Sequence, residues 1–167
     1  MEIIKAEALK IGDNINTDFI ISGRYKFSIT DINELAKHIM EDIDPDFVKK
    51  IKPGKTVLVA GNNFGMGSSR EQAPLVIKAA GIQAVIAKSF ARIFFRNAFN
   101  IGLLLIETDT DSIQNNDLLE IDLDKGLIVN LTSRQKLSIK PLPEFMQKFL
   151  QEGGVIEYLK KYKTLTF

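Results

Sequence analysis

The chain has 167 residues, 45% of them apolar and 26% charged, with a formal net charge of +1. That length suits one domain with a real core, residues 1–167, and the near-neutral charge gives no electrostatic support to a nucleic-acid or acidic-membrane partner. Cysteine is absent, which removes disulfides, thiol catalysis and any cysteine-held zinc or iron–sulfur site from this chain.

The opening "MEIIKAEALK" mixes charges with apolar residues and lacks the apolar region of a signal peptide. No apolar run approaches the ~18 residues needed to span a bilayer, so the cytoplasm is the expected location. "EIIKAEALKI" predicts a first strand, "GDNINTD" a turn-rich polar loop, "FIIS" a short apolar segment and "GRYKFSIT" another loop. "TDINELAKHIM" predicts a helix, with cap-type Asp31 and Glu34 three residues later. The sole histidine, His38, lies in that helical pattern and is expected at the surface or in helix packing. "PDFVKKIKPG" is a short helical or turn connection.

"KTVLVA", "IQAVIAK" and "LLLIE" read as buried strands. "REQAPLVIKAAG" and "SFARIFFRNAFNIG" read as the helices between them, ending at Gly81 and Gly102. This alternation predicts a βαβαβ unit with parallel strands. "LLEIDLDKGLIVNLTSRQKLSIK" alternates apolar and polar residues around a turn at 124–126 and predicts antiparallel strands. The end, "PLPEFMQKFLQEGGVIEYLKKYK", reads as helices broken at Gly153 and Gly154. The expected fold class is α/β with a mixed parallel and antiparallel sheet.

The stretch "GNNFGMGSSREQ", from Gly61 to Gln72, sits where a strand hands over to a helix. Ligands of open α/β sheets bind at such carboxyl ends. Glycines let the main chain approach a ligand closely, a helix start favours an anion, and Arg70 can grip a carboxylate or phosphate. Two readings are open: an anion-binding loop, or a plain capping box made by Ser68 and Glu71. Pro74 bears on the second, because a helix capped at Ser68 would carry proline in its interior. Nucleotide motifs fit poorly: "GMGSSR" lacks the third glycine of a dinucleotide fingerprint, and "PGKT" lacks the leading glycine of a P-loop.

Together, "GDNINTDFI", "GNNFGMGSSREQA" and "AVIAKSFARIFFRNAFNIGLLLIE" resemble the swivel domain of the aconitase superfamily. The resemblance is greatest to the separate small subunits of 3-isopropylmalate dehydratase, whose archaeal-type and related bacterial forms share this length and order. It covers nearly the whole chain and is strongest from Gly12 to Glu107. It implies a swivelling β/β/α domain and a hydro-lyase of leucine biosynthesis that is active only with a large subunit. That subunit would carry a 4Fe–4S cluster, this chain would bind no metal, and the pair would form a heterodimer or heterotetramer.

By the family pattern, Ser68 is the base that removes a proton next to a carboxylate, and Ser69 and Arg70 bind substrate carboxylate. Asp18, in "NTD", orients polar groups or an arginine, or else makes a local turn or cap. Arg92 in "SFARIF" either faces the site, clamps the partner or makes a surface salt bridge. The phenylalanines at 90, 94, 95 and 99 recur at helical spacing and are expected in the core.

The family's specificity loop corresponds to "GRYKFS", which places Arg24, Lys26 and Phe27 among the substrate contacts. Homoaconitase small subunits resemble "YLRT" here, and the arginine's place holds Phe27. A phenyl ring packs on an isopropyl group and cannot pair with a carboxylate, which favours isopropylmalate. Lys26 keeps homoaconitase as an alternative, and a methyl- or dimethylmalate dehydratase fits the same loop. The rival of another class is a non-catalytic anion-binding module.

Overall fold

The computed structural model describes residues 2–25 and 27–164. A seven-stranded sheet runs through it in the order β4-β3-β2-β1-β5-β6-β7. The parallel half is β1 (Ile4–Lys10), β2 (Thr56–Val59), β3 (Ile82–Ala87) and β4 (Leu104–Glu107). The antiparallel half is β5 (Leu118–Asp122), β6 (Leu127–Asn130) and β7 (Lys136–Ser138), joined to the first half by antiparallel pairing of β1 with β5. The expected mixed sheet is borne out.

Burial follows the sequence pattern. All four residues of β2 are buried, as befits a parallel strand covered on both faces. Leu58 and Val85 face one apolar cluster, whereas Val57, Val59, Ala84 and Ile86 face another. The first cluster is closed by α1 (Thr17–Ile20), α2 (Ile32–Ala36), α3 (Phe47–Lys50), α4 (Gln72–Ala79) and α5 (Arg92–Asn100). Side chains from β5 and β6, with Ile113 and Ile139, fill the second. Each fully buried aliphatic side chain contributes about 1.5–3 kcal/mol. α6 (Glu144–Gln151) and α7 (Val155–Tyr162) close the chain, with the Phe149 ring 5.8 Å from Phe99 and 4.8 Å from Tyr158. Among the described residues, no helix is long and apolar enough to cross a membrane.

Two elements differ from expectation: α1 (Thr17–Ile20) is a helix where a polar loop and a short apolar segment were expected, and the next helix is shorter. The helix after Asp31 keeps α form only to Ala36, and the chain then turns to Met40, which has φ 52°. The Met40 N–H bonds the Ile20 carbonyl at 2.9 Å, and Ile39 and Met40 are both fully buried. A straight helix would carry these adjacent residues to different faces, so the turn serves the core. Asp31 does cap α2, accepting from the Asn33 and Glu34 N–H groups at 2.9 Å each. The Glu34 carboxylate, however, bonds Lys37 at 2.7 Å instead of completing a capping box.

Candidate active site

The parallel strands β1, β2 and β3 release their chains at the same edge of the sheet, and the loops that follow stay zipped together. The Ile11 N–H donates to the Val59 carbonyl at 2.8 Å, Asn14 to Asn62 at 2.8 Å, Gly65 to Ile15 at 2.8 Å and Thr17 to Met66 at 2.9 Å. On the other side, Phe64 donates to the Ser89 carbonyl at 3.0 Å and Ala91 donates to Phe64 at 2.9 Å. The loop from 61 to 71 is thus held between two neighbours by main-chain bonds that extend the ladder beyond the strands.

The glycines fit this close packing. Gly65 has φ +81°, and a Cβ there would sit 2.2 Å from the Phe94 ring. Gly67 has φ +94°, and its Cβ would sit 2.5 Å from the Asn16 side chain. Neither backbone angle suits an L side chain. Phe64 anchors the loop from below, fully buried and edge-on to Phe90 and Phe94 at 6.0 and 5.1 Å. Phe94 lies in the core, as expected, with Phe90 and Phe95 partly buried against it.

Beyond the glycines lies a cleft of about 300 Å³, at the small end of the roughly 300–1,000 Å³ usual for small-molecule sites. Ser68, Ser69 and Arg70 line it from the loop, Arg92, Ile93 and Asn97 from α5, and Thr17 from α1. α5 begins at this cleft with no side-chain cap, so its first N–H groups are open to an anion; the start of α4 offers fewer, because the Ala73 N–H bonds the Arg70 carbonyl at 3.2 Å and Pro74 has no N–H. The capping-box reading of Ser68 gives way: the cap position of α4 is Glu71. Pro74 then falls in the first turn, where a missing N–H costs nothing.

The sequence-predicted residues are distributed unevenly. Ser68 and Ser69 are exposed in the cleft, and the Ser68 carbonyl accepts the Thr17 hydroxyl at 2.8 Å. The Arg70 guanidinium pairs with the Asp18 carboxylate and donates to the Ile21 carbonyl at 3.2 Å. A Cβ at Gly23 would lie 3.0 Å from Arg70 Nη2, so this glycine leaves room for the guanidinium. Asp18 therefore orients an arginine; the capping role belongs to Asn16, whose side chain accepts the Asp18 N–H at 2.9 Å.

Arg24 is not brought to this cleft. It pairs with Glu41 at 2.6 Å and Asp42 at 2.7 Å. Glu41 also accepts from the Tyr25 hydroxyl and bonds His38 Nδ1 at 2.7 Å, and the His38 ring stacks on Tyr25 at 4.1 Å. Partial burial works against the Glu41 charge, but the bonds from Tyr25, Arg24 and His38 outweigh it and hold the carboxyl down at about 2. Phe27 is 89% exposed, and Lys26 lies outside the described residues.

Sequence reasoning missed Thr17, Gly23 and Asn97. Thr17 stood inside the quoted "NTD", where a buried hydroxyl beside a cap is a findable signal; nothing in the local sequence marks the other two. Among the described residues, no group of three His, Cys, Asp or Glu is placed to hold a metal ion. A second concavity of about 240 Å³ is lined mainly by apolar side chains such as Leu105, Ile139 and Met146, with Glu107 and Lys140 as its charged residues.

Comparison with known proteins agrees with this geometry. Residues 2–111, which include every residue lining the cleft, match the Aconitase C-terminal domain. A 3-isopropylmalate dehydratase small subunit 2 of Archaeoglobus fulgidus is 59% identical over 93% of this chain and 93% of its own length. A 3-isopropylmalate dehydratase small subunit of Thermodesulfovibrio yellowstonii is 54% identical over 95% of this chain and 94% of its own. A crystal structure of 3-isopropylmalate dehydratase from Methanocaldococcus jannaschii superposes with a TM-score of 0.91 at 51% identity, covering 97% and 96% of the two chains. This chain belongs to the 3-isopropylmalate dehydratase small-subunit family, on the aconitase C-terminal fold.

Proposed function

We propose that this chain, as one swivel domain, is the small subunit of a hydro-lyase that interconverts 2- and 3-isopropylmalate in leucine biosynthesis. The observation that carries the reading is Ser68 exposed in a cleft beside an arginine whose guanidinium is already fixed by Asp18 and the Ile21 carbonyl. The net reaction removes water across two adjacent carbons and returns it with the hydroxyl on the neighbouring carbon.

Ser68 takes the proton from the carbon next to a carboxylate. A serine hydroxyl is far too weak a base in water, so its oxygen must approach an alkoxide in a closed site. The uncapped N–H groups at the start of α5 and the Arg70 charge favour that state. Ser69 and Arg70 hold substrate carboxylate, with Arg70 pre-oriented and losing little freedom on binding. Phe27 packs on the isopropyl group, a contact worth about 1–3 kcal/mol.

The chain has no cysteine, so a 4Fe–4S cluster belongs on a separate large subunit that covers the cleft. Bound there, it supplies a Lewis acid to the substrate hydroxyl and carboxylate. The test is anaerobic co-expression with a candidate large subunit, followed by turnover of isopropylmalate, homoaconitate and dimethylmalate side by side. The expected result is preference for isopropylmalate. Preference for another acid overturns the Phe27 assignment, and no turnover with an intact cluster overturns the enzyme reading.

A further inference from the structure

We infer that Arg92 is a second substrate-binding arginine, taking the carboxylate of the dicarboxylic substrate that Arg70 does not hold. The inference rests on the proposed function of the Ser68 cleft and extends it to the α5 residues that line the same cleft. Arg92 lines that cleft from the first turn of α5. Its backbone is fixed against the serine loop, because the Ala91 N–H bonds Phe64 and the buried Phe94 packs under Gly65.

Charge makes the case. The positive charge of Arg70 is matched by Asp18, so without Arg92 the side chains around the cleft sum to about zero. Other cations are engaged elsewhere, Arg24 with Glu41 and Asp42 and Lys88 with Asp109 and Asp111, and Arg96, one turn along α5, is not among the residues lining the cleft. Arg92 is exposed and makes no ion pair among the described residues. It also stands where local preference opposes it. The first turn of a helix favours acids and disfavours cations, and α5 has no acidic residue there to offset the charge. A side chain placed against its local preference, unpaired and facing a cleft, marks a functional demand. A substrate with two carboxylates brings the negative charge that the site lacks.

The experiment compares Arg92→Gln and Arg92→Lys with wild type and Ser68→Ala in enzyme reconstituted with the large subunit. It measures kcat, KM and the large-subunit concentration needed for half-maximal activity. A lost charge-assisted hydrogen bond predicts that Arg92→Gln raises KM about 10- to 100-fold. kcat is expected to change far less, large-subunit affinity to stay unchanged, and Arg92→Lys to recover part of the loss. An unchanged KM in Arg92→Gln overturns the inference, as does a KM that stays normal while large-subunit affinity falls. Loss of turnover in Ser68→Ala with normal KM in Arg92→Gln sinks the Arg92 role alone. Full turnover in Ser68→Ala overturns the underlying cleft reading as well.

Discussion

The loop from 61 to 71 and the turn from 23 to 28 were both expected to touch substrate, yet they are built differently. The first is bonded along its main chain to both neighbouring loops, sits on a buried aromatic peg and carries an arginine already oriented by a carboxylate. The second is anchored at its stem, where Arg24 and Tyr25 meet Glu41, and Phe27 is 89% exposed. Groups that stabilise charge in a reaction must be in place beforehand. A surface that selects among side groups can stay open until substrate and partner arrive. The difference suggests that chemistry belongs to the rigid loop and discrimination to the open turn.

The largest expected effect breaks the rigid side. Ser68→Ala should lower kcat by about 10²–10⁴-fold while assembly with the large subunit, followed by gel filtration, stays intact. Next is Asp18→Ala, which frees the Arg70 guanidinium. Misplacement of a positioned group can cost about 10²-fold, and a loss of that order in kcat/KM is expected, whereas wild-type values would show that Arg70 needs no orienting partner.

Phe27→Arg probes the open turn. It should move the ratio of isopropylmalate to homoaconitate turnover by about 10-fold or more toward the tricarboxylate, without the loss of kcat seen on the rigid side. A ratio that does not move would remove Phe27 from the specificity determinants.

The smallest effect concerns the stem. The Glu41 carboxyl is held down at about 2, below its ordinary 4.5, so the unfolded chain binds the proton more readily than the folded one. The contribution of this cluster is therefore complete above about pH 4.5 and is lost as pH falls towards 2. Glu41→Gln should cost about 1–2 kcal/mol at neutral pH. Denaturant titrations should show that gap closing across the same acid window; a gap independent of pH would exclude the carboxylate as its source.

Much of the scaffold was legible because burial leaves a period in the sequence. Continuous apolar runs marked β2 and β3 as strands covered on both faces, and alternation marked β5 and β6 as an antiparallel pair. The absence of cysteine showed that any thiolate-held cluster must come from elsewhere. "GNNFGMGSSREQ" announced a strand-to-helix loop with a task, and the family resemblance supplied the task. The helix after Asp31 was overextended, since its pattern does not show that Ile39 and Met40 both enter the core.

What the sequence determined by itself was most of the strands and helices, their buried faces and the residue types at the loop. The tertiary structure decided which loops lie side by side and which charges meet. It set Asp18 on Arg70, drew Arg24 away to Glu41 and Asp42, and brought Arg92 to the cleft that Ser68 lines. Periodicity records how one element meets its surroundings. Pairings such as Thr17 with Ser68, 51 residues apart, depend on the strand order and register that place separate loops at one edge of the sheet.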